Sequence, residues 1–111
     1  MMNQRDIEEL VFMELEEAIP ENFHGINQAN VKAHLVKPFK KKFFNAIEDN
    51  IEEYWVVFDE DKNNNKQGYL IFYSEKDDSF GIGTKTNLKE IGQVGGFVGI
   101  YGSFIDAIKS M

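Results

Sequence analysis

An acidic loop near the middle of the chain has the residue types of a cation site. Asp59, Asp61 and Asn63 place side-chain oxygens at alternate positions, which is the spacing with which a calcium loop begins. The sixth position of such a loop requires glycine, where this chain has Asn64, and the twelfth requires glutamate, where it has Leu70. We therefore interpret the loop as the solvent-exposed tip of a hairpin rather than as a calcium site.

Glycine recurs toward the C-terminus, at positions 92, 95, 96, 99 and 102, and a helix pattern follows it. A helix N-terminus can hold an anion through its free amide groups, so Tyr101, Gly102 and Ser103 form a candidate anion or ligand site. No G-x-G-x-x-G fingerprint is present, and no Lys-Ser/Thr pair follows the glycines as in a phosphate loop. The simpler interpretation is a bent strand followed by a helix cap.

The two histidines, His24 and His34, do not have the spacing of a metal site. They are ten residues apart, and the chain has no cysteine to complete a ligand set. No serine lies in a G-x-S-x-G elbow, the turn that exposes a hydrolase nucleophile. We therefore expect no metal and no cofactor, and a non-catalytic role is favoured over an enzyme.

A basic and aromatic cluster lies in the second quarter of the chain. Lysines are interleaved there with phenylalanines, a combination that could stack bases and bind phosphates or could face an acidic protein. The simpler interpretation is an edge strand whose lysines are solvated. Together with two glutamates of the first helix, the lysines form a candidate interaction surface: Lys37, Lys40, Lys41, Lys42, Glu16 and Glu17.

Length and charge narrow the class of protein. A chain of 111 residues fits one domain, residues 1–111. A net charge of −7 repels phosphate backbones, so nucleic-acid binding is disfavoured. No segment approaches the roughly 20 apolar residues of a membrane span, and the acidic N-terminal stretch is unlike a signal peptide. We expect a cytoplasmic protein without a membrane partner.

The first half of the chain predicts one secure helix and one ambiguous segment. Apolar residues at helical spacing predict a helix over residues 6–19, with Asp6 and Glu9 at the spacing of a capping box. Residues 28–36 fit a strand or a short helix, and a capping asparagine favours the helix. Pro38 should end either element, before an edge strand over residues 39–47.

The second half predicts the sheet. Two aromatic runs at residues 54–58 and 69–73, apolar on both faces, predict a hairpin in the middle of a sheet. A strand over residues 80–84 has glycines on one face, which leaves room for a helix. Residues 95–102 predict a last strand, and Ser103 caps a closing helix. The fold class is α+β: an antiparallel, meander-like sheet of four to five strands, with both helices mainly on one face.

These patterns favour a small acidic protein-interaction module over an enzyme. Its size, acidity and helix–sheet–helix order resemble those of bacterial immunity proteins, by analogy and without a shared motif, and an adaptor would fit equally. The expected partner is another protein, or a second copy in a homodimer. The alternative is a small-ligand or catalytic pocket at the glycine-rich junction of residues 95–103.

Overall fold

A computed structural model describes residues 2–18, 28–64, 67–87 and 94–111. These residues form three helices and five strands, in the order α1 (Gln4–Ala18), α2 (Gln28–His34), β1 (Leu35–Asn45), β2 (Asn50–Asp59), β3 (Tyr69–Ser74), β4 (Ser79–Thr84), β5 (Gly95–Gly102) and α3 (Phe104–Ser110). The protein is therefore a mixed α+β fold with a helix at each end, as predicted.

The sheet is closed into a five-stranded barrel, so the prediction of an open meander was wrong. Consecutive strands pair antiparallel from β1 to β5, and β5 then returns to β1 as a parallel neighbour. In the described chain this β1–β5 seam comprises two residue pairs, Phe43 with Gly95 and Phe44 with Gly96. Short links between consecutive strands predict the antiparallel part, but they contain no signal for the parallel seam.

Glycine makes the closure sterically feasible. A Cβ atom at Gly83 would lie 2.5 Å from the ring of Phe43, and one at Gly95 would lie 2.9 Å from the same ring. A Cβ atom at Gly81 would lie 2.6 Å from the ring of Phe72. We predicted that a helix would pack on this glycine face of β4. Aromatic rings from β1 and β3 fill that space instead, inside the barrel.

Two separate cores account for the hairpin that is apolar on both faces. The barrel interior contains five buried side chains, among them Tyr54 and Phe72, whose rings stack with centroids 4.3 Å apart. The outer wall of the barrel contributes residues such as Val57 and Ile71 to a second core, and α1, α2 and α3 complete this core with residues such as Phe104. The β2–β3 hairpin lies between the two cores, which accounts for its two apolar faces. Every strand of a closed barrel has two neighbours, so the predictions of a central hairpin and of an edge strand over residues 39–47 were both wrong in that respect.

Residues 28–36 contain the helix α2 and the start of the strand β1. The helix α2 ends at His34, and β1 begins at Leu35 and continues through Pro38. The expectation that Pro38 ends the element was therefore wrong. Pairing with β2 shifts register between Leu35 and Phe39, and this irregularity accommodates a residue that has no amide hydrogen to donate.

Both terminal helices begin with the same reciprocal hydrogen bonds. In α1, the amide of Asp6 donates to Asn3 Oδ1 at 2.9 Å, and the amide of Asn3 donates to Asp6 Oδ2 at 3.0 Å. The capping box of α1 thus lies three residues earlier than the predicted Asp6–Glu9 box, and the helix begins at Gln4, two residues before the predicted start. In α3, Ser103 and Asp106 form the predicted capping box. The predicted end of α1 at residue 19 lies outside the described residues.

Candidate functional site

The loop with calcium-like spacing encloses a cation that belongs to the chain itself. The Lys85 ammonium lies 2.8 Å from Oδ1 of Asp59 and also donates to the backbone oxygens of Asp61 and Asn64. Only 8% of the Lys85 side chain is exposed. The loop oxygens that could have held a metal therefore hold an ammonium group. Within the described ranges, no group of three or more His, Asp or Glu side chains is placed to hold a metal ion.

The predicted anion site at Tyr101, Gly102 and Ser103 has its helix amides occupied by groups of the chain. The amide of Ser103 donates to Asp106 Oδ2, and the amide of Asp106 donates to Ser103 Oγ. The amide of Phe104 donates to Glu14 Oε1 on α1. The Ser103 hydrogen bonds lower the pKa of Asp106. Anion binding at this position stays a prediction, and it would require displacement of these groups.

The predicted lysine surface is distributed over both faces of β1. Lys40 and Lys42 are exposed, and the Lys40 ammonium lies 5.2 Å from the centroid of the Trp55 ring. Lys41 projects from the opposite face, where burial lowers its pKa. Lys37 borders a groove of about 340 Å³ together with Glu8 of α1.

The two glutamates of that surface lie on α1. Glu16 is exposed there, whereas the side chain of Glu17 lies outside the described part of the structure. The lysines are adjacent in the sequence, which suggested one patch. Because side chains alternate between the two faces of a strand, the lysines lie on different faces instead.

A different surface emerges where two turns and one strand end lie together. The β1–β2 turn (residues 46–49) and the β3–β4 turn (residues 75–78) lie at the same end of the barrel, because alternate links of an antiparallel meander share an end. The second half of β5 runs toward that end too, because β5 is parallel to β1. We call residues 46–53, 75–78 and 97–102 the acidic end.

The acidic end contains seven carboxylates and a single lysine: Glu48, Asp49, Glu52, Glu53, Glu75, Asp77, Asp78 and Lys76. The rest of the chain has twelve carboxylates and eleven Lys or Arg residues, so this end accounts for nearly all of the net charge of −7. The sequence contained a usable signal, since both turns are acidic and a meander places both at one end.

Exposed apolar side chains are interspersed with these carboxylates. Of nine large hydrophobic residues that are exposed in the described chain, five belong to the acidic end. Ile47 is 95% exposed at the tip of the β1–β2 turn, and the other four are Ile51, Val98, Ile100 and Tyr101. Such clustering is unusual for a surface that faces only water.

The pKa values of two tyrosines at this end are raised in part by the nearby carboxylates. The pKa of Tyr54 is raised to about 12, first by burial and then by the carboxylates of Glu52, Asp77 and Glu48, in that order of effect. Acids from both turns thus act on one hydroxyl. The Tyr73 hydroxyl donates to Asp78 Oδ1 at 2.5 Å, and its pKa is likewise raised to about 12, first by burial and then by this hydrogen bond.

A groove of about 590 Å³ crosses the outer wall of the barrel and reaches the acidic end at Ala46 and Val98. Two of its polar side chains are bonded within the chain: Thr84 Oγ1 donates to the backbone oxygen of Thr86, and Asn87 Nδ2 donates to that of Val94, both at 2.7 Å. Among the described residues that line the groove, Glu60 alone is charged. The lining therefore offers apolar contact rather than a pairing of nucleophile and base.

Comparison with protein-family models, with curated proteins and with solved structures found no match to this chain. In the part of the chain that the structure describes, none of the helices has both the length and the hydropathy to span a bilayer. The geometry of the site is therefore the basis for a functional proposal.

Proposed function

We propose that this protein is a non-catalytic interaction module that binds a basic partner protein through its acidic end. The observation that supports this most directly is the intermixing of exposed apolar side chains, such as Ile47 and Ile51, with seven carboxylates. Apolar surface of this kind contributes to binding when a partner removes it from water. Charge of one sign steers a partner of the opposite sign and excludes others.

The chemistry of the acidic end selects a protein over other ligands. Phosphate backbones and anionic membrane surfaces are repelled by a net negative surface. A second copy of the chain that used the same end would bring two sets of carboxylates together, so a homodimer through this end is disfavoured. A partner with lysine or arginine around an apolar centre fits both features.

A small-ligand pocket near residues 95–103 is the alternative proposal. The groove of about 590 Å³ includes Gly96, Phe97 and Val98, and its volume lies in the range of about 300–1,000 Å³ that is common for ligand sites. Such sites usually place a few convergent polar groups against the ligand. Here Thr84 and Asn87 already bond to backbone oxygens, which favours contact with apolar groups over catalysis.

The test uses tagged baits in lysate of the native host, followed by titration calorimetry with the purified partner. The test variant replaces three exposed acids of the acidic end, Glu48→Gln, Asp49→Asn and Glu53→Gln. We expect it to bind the partner at least about tenfold more weakly and with less dependence on salt, because three attractive charges are removed.

The matched control removes the same number of charges from α1, as Glu8→Gln, Glu9→Gln and Glu16→Gln. We expect this variant to bind the partner like the wild type. Equal weakening in both variants would indicate a general effect of net charge and would contradict the proposal. Failure of the wild-type bait to enrich any partner in stoichiometric amount would contradict it as well.

A further inference from the structure

We propose that the groove over the β1–β5 seam binds an extended segment of the partner, with apolar side chains in the groove and a basic side chain beside the β1–β2 turn. This inference rests on the proposed function and specifies its mode of recognition. It concerns the wall of the barrel beside the acidic end.

The floor of the groove is one row of residues across four neighbouring strands. Tyr69 on β3 pairs with Thr84 on β4, Thr84 pairs with Gly96 on β5, and Gly96 pairs with Phe44 on β1. Gly96 supplies no side chain, and a Cβ atom there would lie 2.5 Å from Thr84 Oγ1. The missing side chain leaves a depression between the larger residues, directly over the short seam.

The lining favours apolar groups of a polypeptide. Tyr69 and Val98 line the groove and are 41% and 46% exposed. The part of this surface that a ligand buries would contribute to binding at about 25 cal/mol per Å² of apolar area. The hydroxyl of Thr84 and the amide of Asn87 are bonded within the chain, so neither needs a partner in a ligand. A small polar molecule would therefore gain less here than a run of aliphatic side chains.

The carboxylates near the groove determine which charge a bound segment should carry at its two ends. Ala46 lines the groove where it meets the acidic end, and Glu48 and Asp49 follow in the same turn and are exposed. Away from that end, Glu60 is the charged residue at the rim among the described residues that line the groove. A segment that crosses the groove thus meets carboxylates on both sides, and lysine or arginine at both ends of the segment complements them.

The probe is a synthetic hexapeptide in which four alternating valines and leucines are flanked by one arginine at each end. We expect it to bind the ¹⁵N-labelled protein saturably below about 1 mM and to shift the amide resonances of Thr84, Gly96 and Val98. A second peptide with glutamate flanks should bind about tenfold more weakly or worse. A third, with serines in place of the aliphatic residues, should not bind measurably.

Paired protein variants separate the groove from general hydrophobic contact. Val98→Ser should weaken binding of the arginine-flanked peptide about fivefold or more, since apolar contact area is lost. Met13→Ser, which changes a residue 58% exposed on α1, should leave binding unchanged. Absence of saturable binding, equal binding of the glutamate-flanked peptide, or resonance shifts confined to other surfaces would each overturn the inference.

The same variants distinguish this inference from the proposed function. If the purified partner binds Val98→Ser as tightly as the wild type but still requires the acids at the β1–β2 turn, the groove inference fails and the proposed function stands. If the wild-type protein enriches no partner, the proposed function fails independently of the peptide result.

Discussion

The ammonium of Lys85 lies 2.8 Å from Oδ1 of Asp59 and links the end of β4 to the β2–β3 loop. The two side chains are 8% and 18% exposed, so solvent screens the pair weakly. We expect Lys85→Met to lower the free energy of unfolding by about 1–3 kcal/mol, because it leaves the Asp59 carboxylate and two backbone oxygens without their donor. Urea denaturation at neutral pH measures this loss.

Lys76→Met is the matched control for that ion pair. Lys76 Nζ lies 3.4 Å from Glu52 Oε1, but the Lys76 side chain is 73% exposed. Exposed ion pairs contribute about 0–1 kcal/mol to the free energy of unfolding. We expect a change within about 0.5 kcal/mol. If both variants lost the same stability, Lys85 would not have the anchoring role that its burial indicates.

Gly83→Ala tests whether the barrel is closed around Phe43. The added Cβ atom would lie 2.5 Å from the Phe43 ring and 2.9 Å from the backbone oxygen of Gly96, so we expect a loss of at least about 1–3 kcal/mol from overpacking. Thermal unfolding followed by circular dichroism is the measurement.

Two further variants test whether the stability lost in Gly83→Ala comes from the contact with the Phe43 ring. At Gly99 the nearest atom to an added Cβ is the Tyr101 hydroxyl oxygen at 3.2 Å, the end of a side chain that can move. Gly99→Ala should therefore cost clearly less than Gly83→Ala. Adding Phe43→Leu to Gly83→Ala should recover part of the loss. Wild-type stability of Gly83→Ala alone would be incompatible with the packing described.

Stability should decline in the alkaline range because two buried tyrosines resist ionisation. The pKa values of Tyr54 and Tyr73 are raised to about 12 in the folded protein, against about 10 in an unfolded chain. A raised pKa in an acid means that the folded state favours its neutral form. The contribution is complete below about pH 10 and is lost as pH rises toward about 12.

Urea midpoints measured across the alkaline range test this prediction with two variants. Tyr73→Phe should make the alkaline decline shallower, because one of the two ionisable groups is gone. Asp78→Asn should lower the pKa of Tyr73 only in part, since burial, the larger cause, remains. An unchanged decline in Tyr73→Phe would be inconsistent with the burial of this hydroxyl.

The α3 capping box should contribute measurably despite the short helix. Ser103 Oγ accepts from the amide of Asp106 at 3.2 Å, and loss of such a cap costs about 1 kcal/mol. We therefore expect Ser103→Ala to lower the free energy of unfolding by about this amount in urea denaturation. Ser110→Ala, at the opposite end of α3, should cost less than half as much.

The pH dependence of this cap follows from Asp106. Its pKa is lowered by the Ser103 hydrogen bonds, so the charged carboxylate is favoured in the folded state. This contribution is present above the ordinary pKa of aspartate and is lost as pH falls through the lowered value in the folded protein. Asp106→Asn should abolish this acid-dependent part of stability while the Ser103 hydroxyl still caps the helix. An identical acid profile in the variant would contradict it.

Local hydrogen bonding explains which elements the sequence could predict. The Ser103–Asp106 box was confirmed because its partners are three residues apart and need no distant group. The start of α1 was misplaced because two boxes fit the sequence. The earlier start is accompanied by a contact between residues that are distant in sequence. Gln4 Nε2 donates to the backbone oxygen of Pro38 at 2.6 Å, and the spacing of residues in the sequence does not predict this contact.

The closed barrel and the acidic end required information from distant parts of the chain. Gly83 and Gly95 indicate close approach, but the identity of the approaching group, the Phe43 ring, depends on a register set across five strands. The two acidic turns are visible in the sequence. Their common position at one end follows from the predicted meander, whereas the position of the second half of β5 at that end follows only once the parallel closure is known.

The two-pair β1–β5 seam has a consequence for how the protein forms and opens. Phe43 and Gly95 are about fifty residues apart in the chain, so joining them costs more loop-closure entropy than any of the hairpin ladders. We expect ring closure to come late in folding. We also expect amide hydrogens at the seam to exchange with deuterium through a local opening, whereas those between β2 and β3 should exchange only when the whole molecule unfolds.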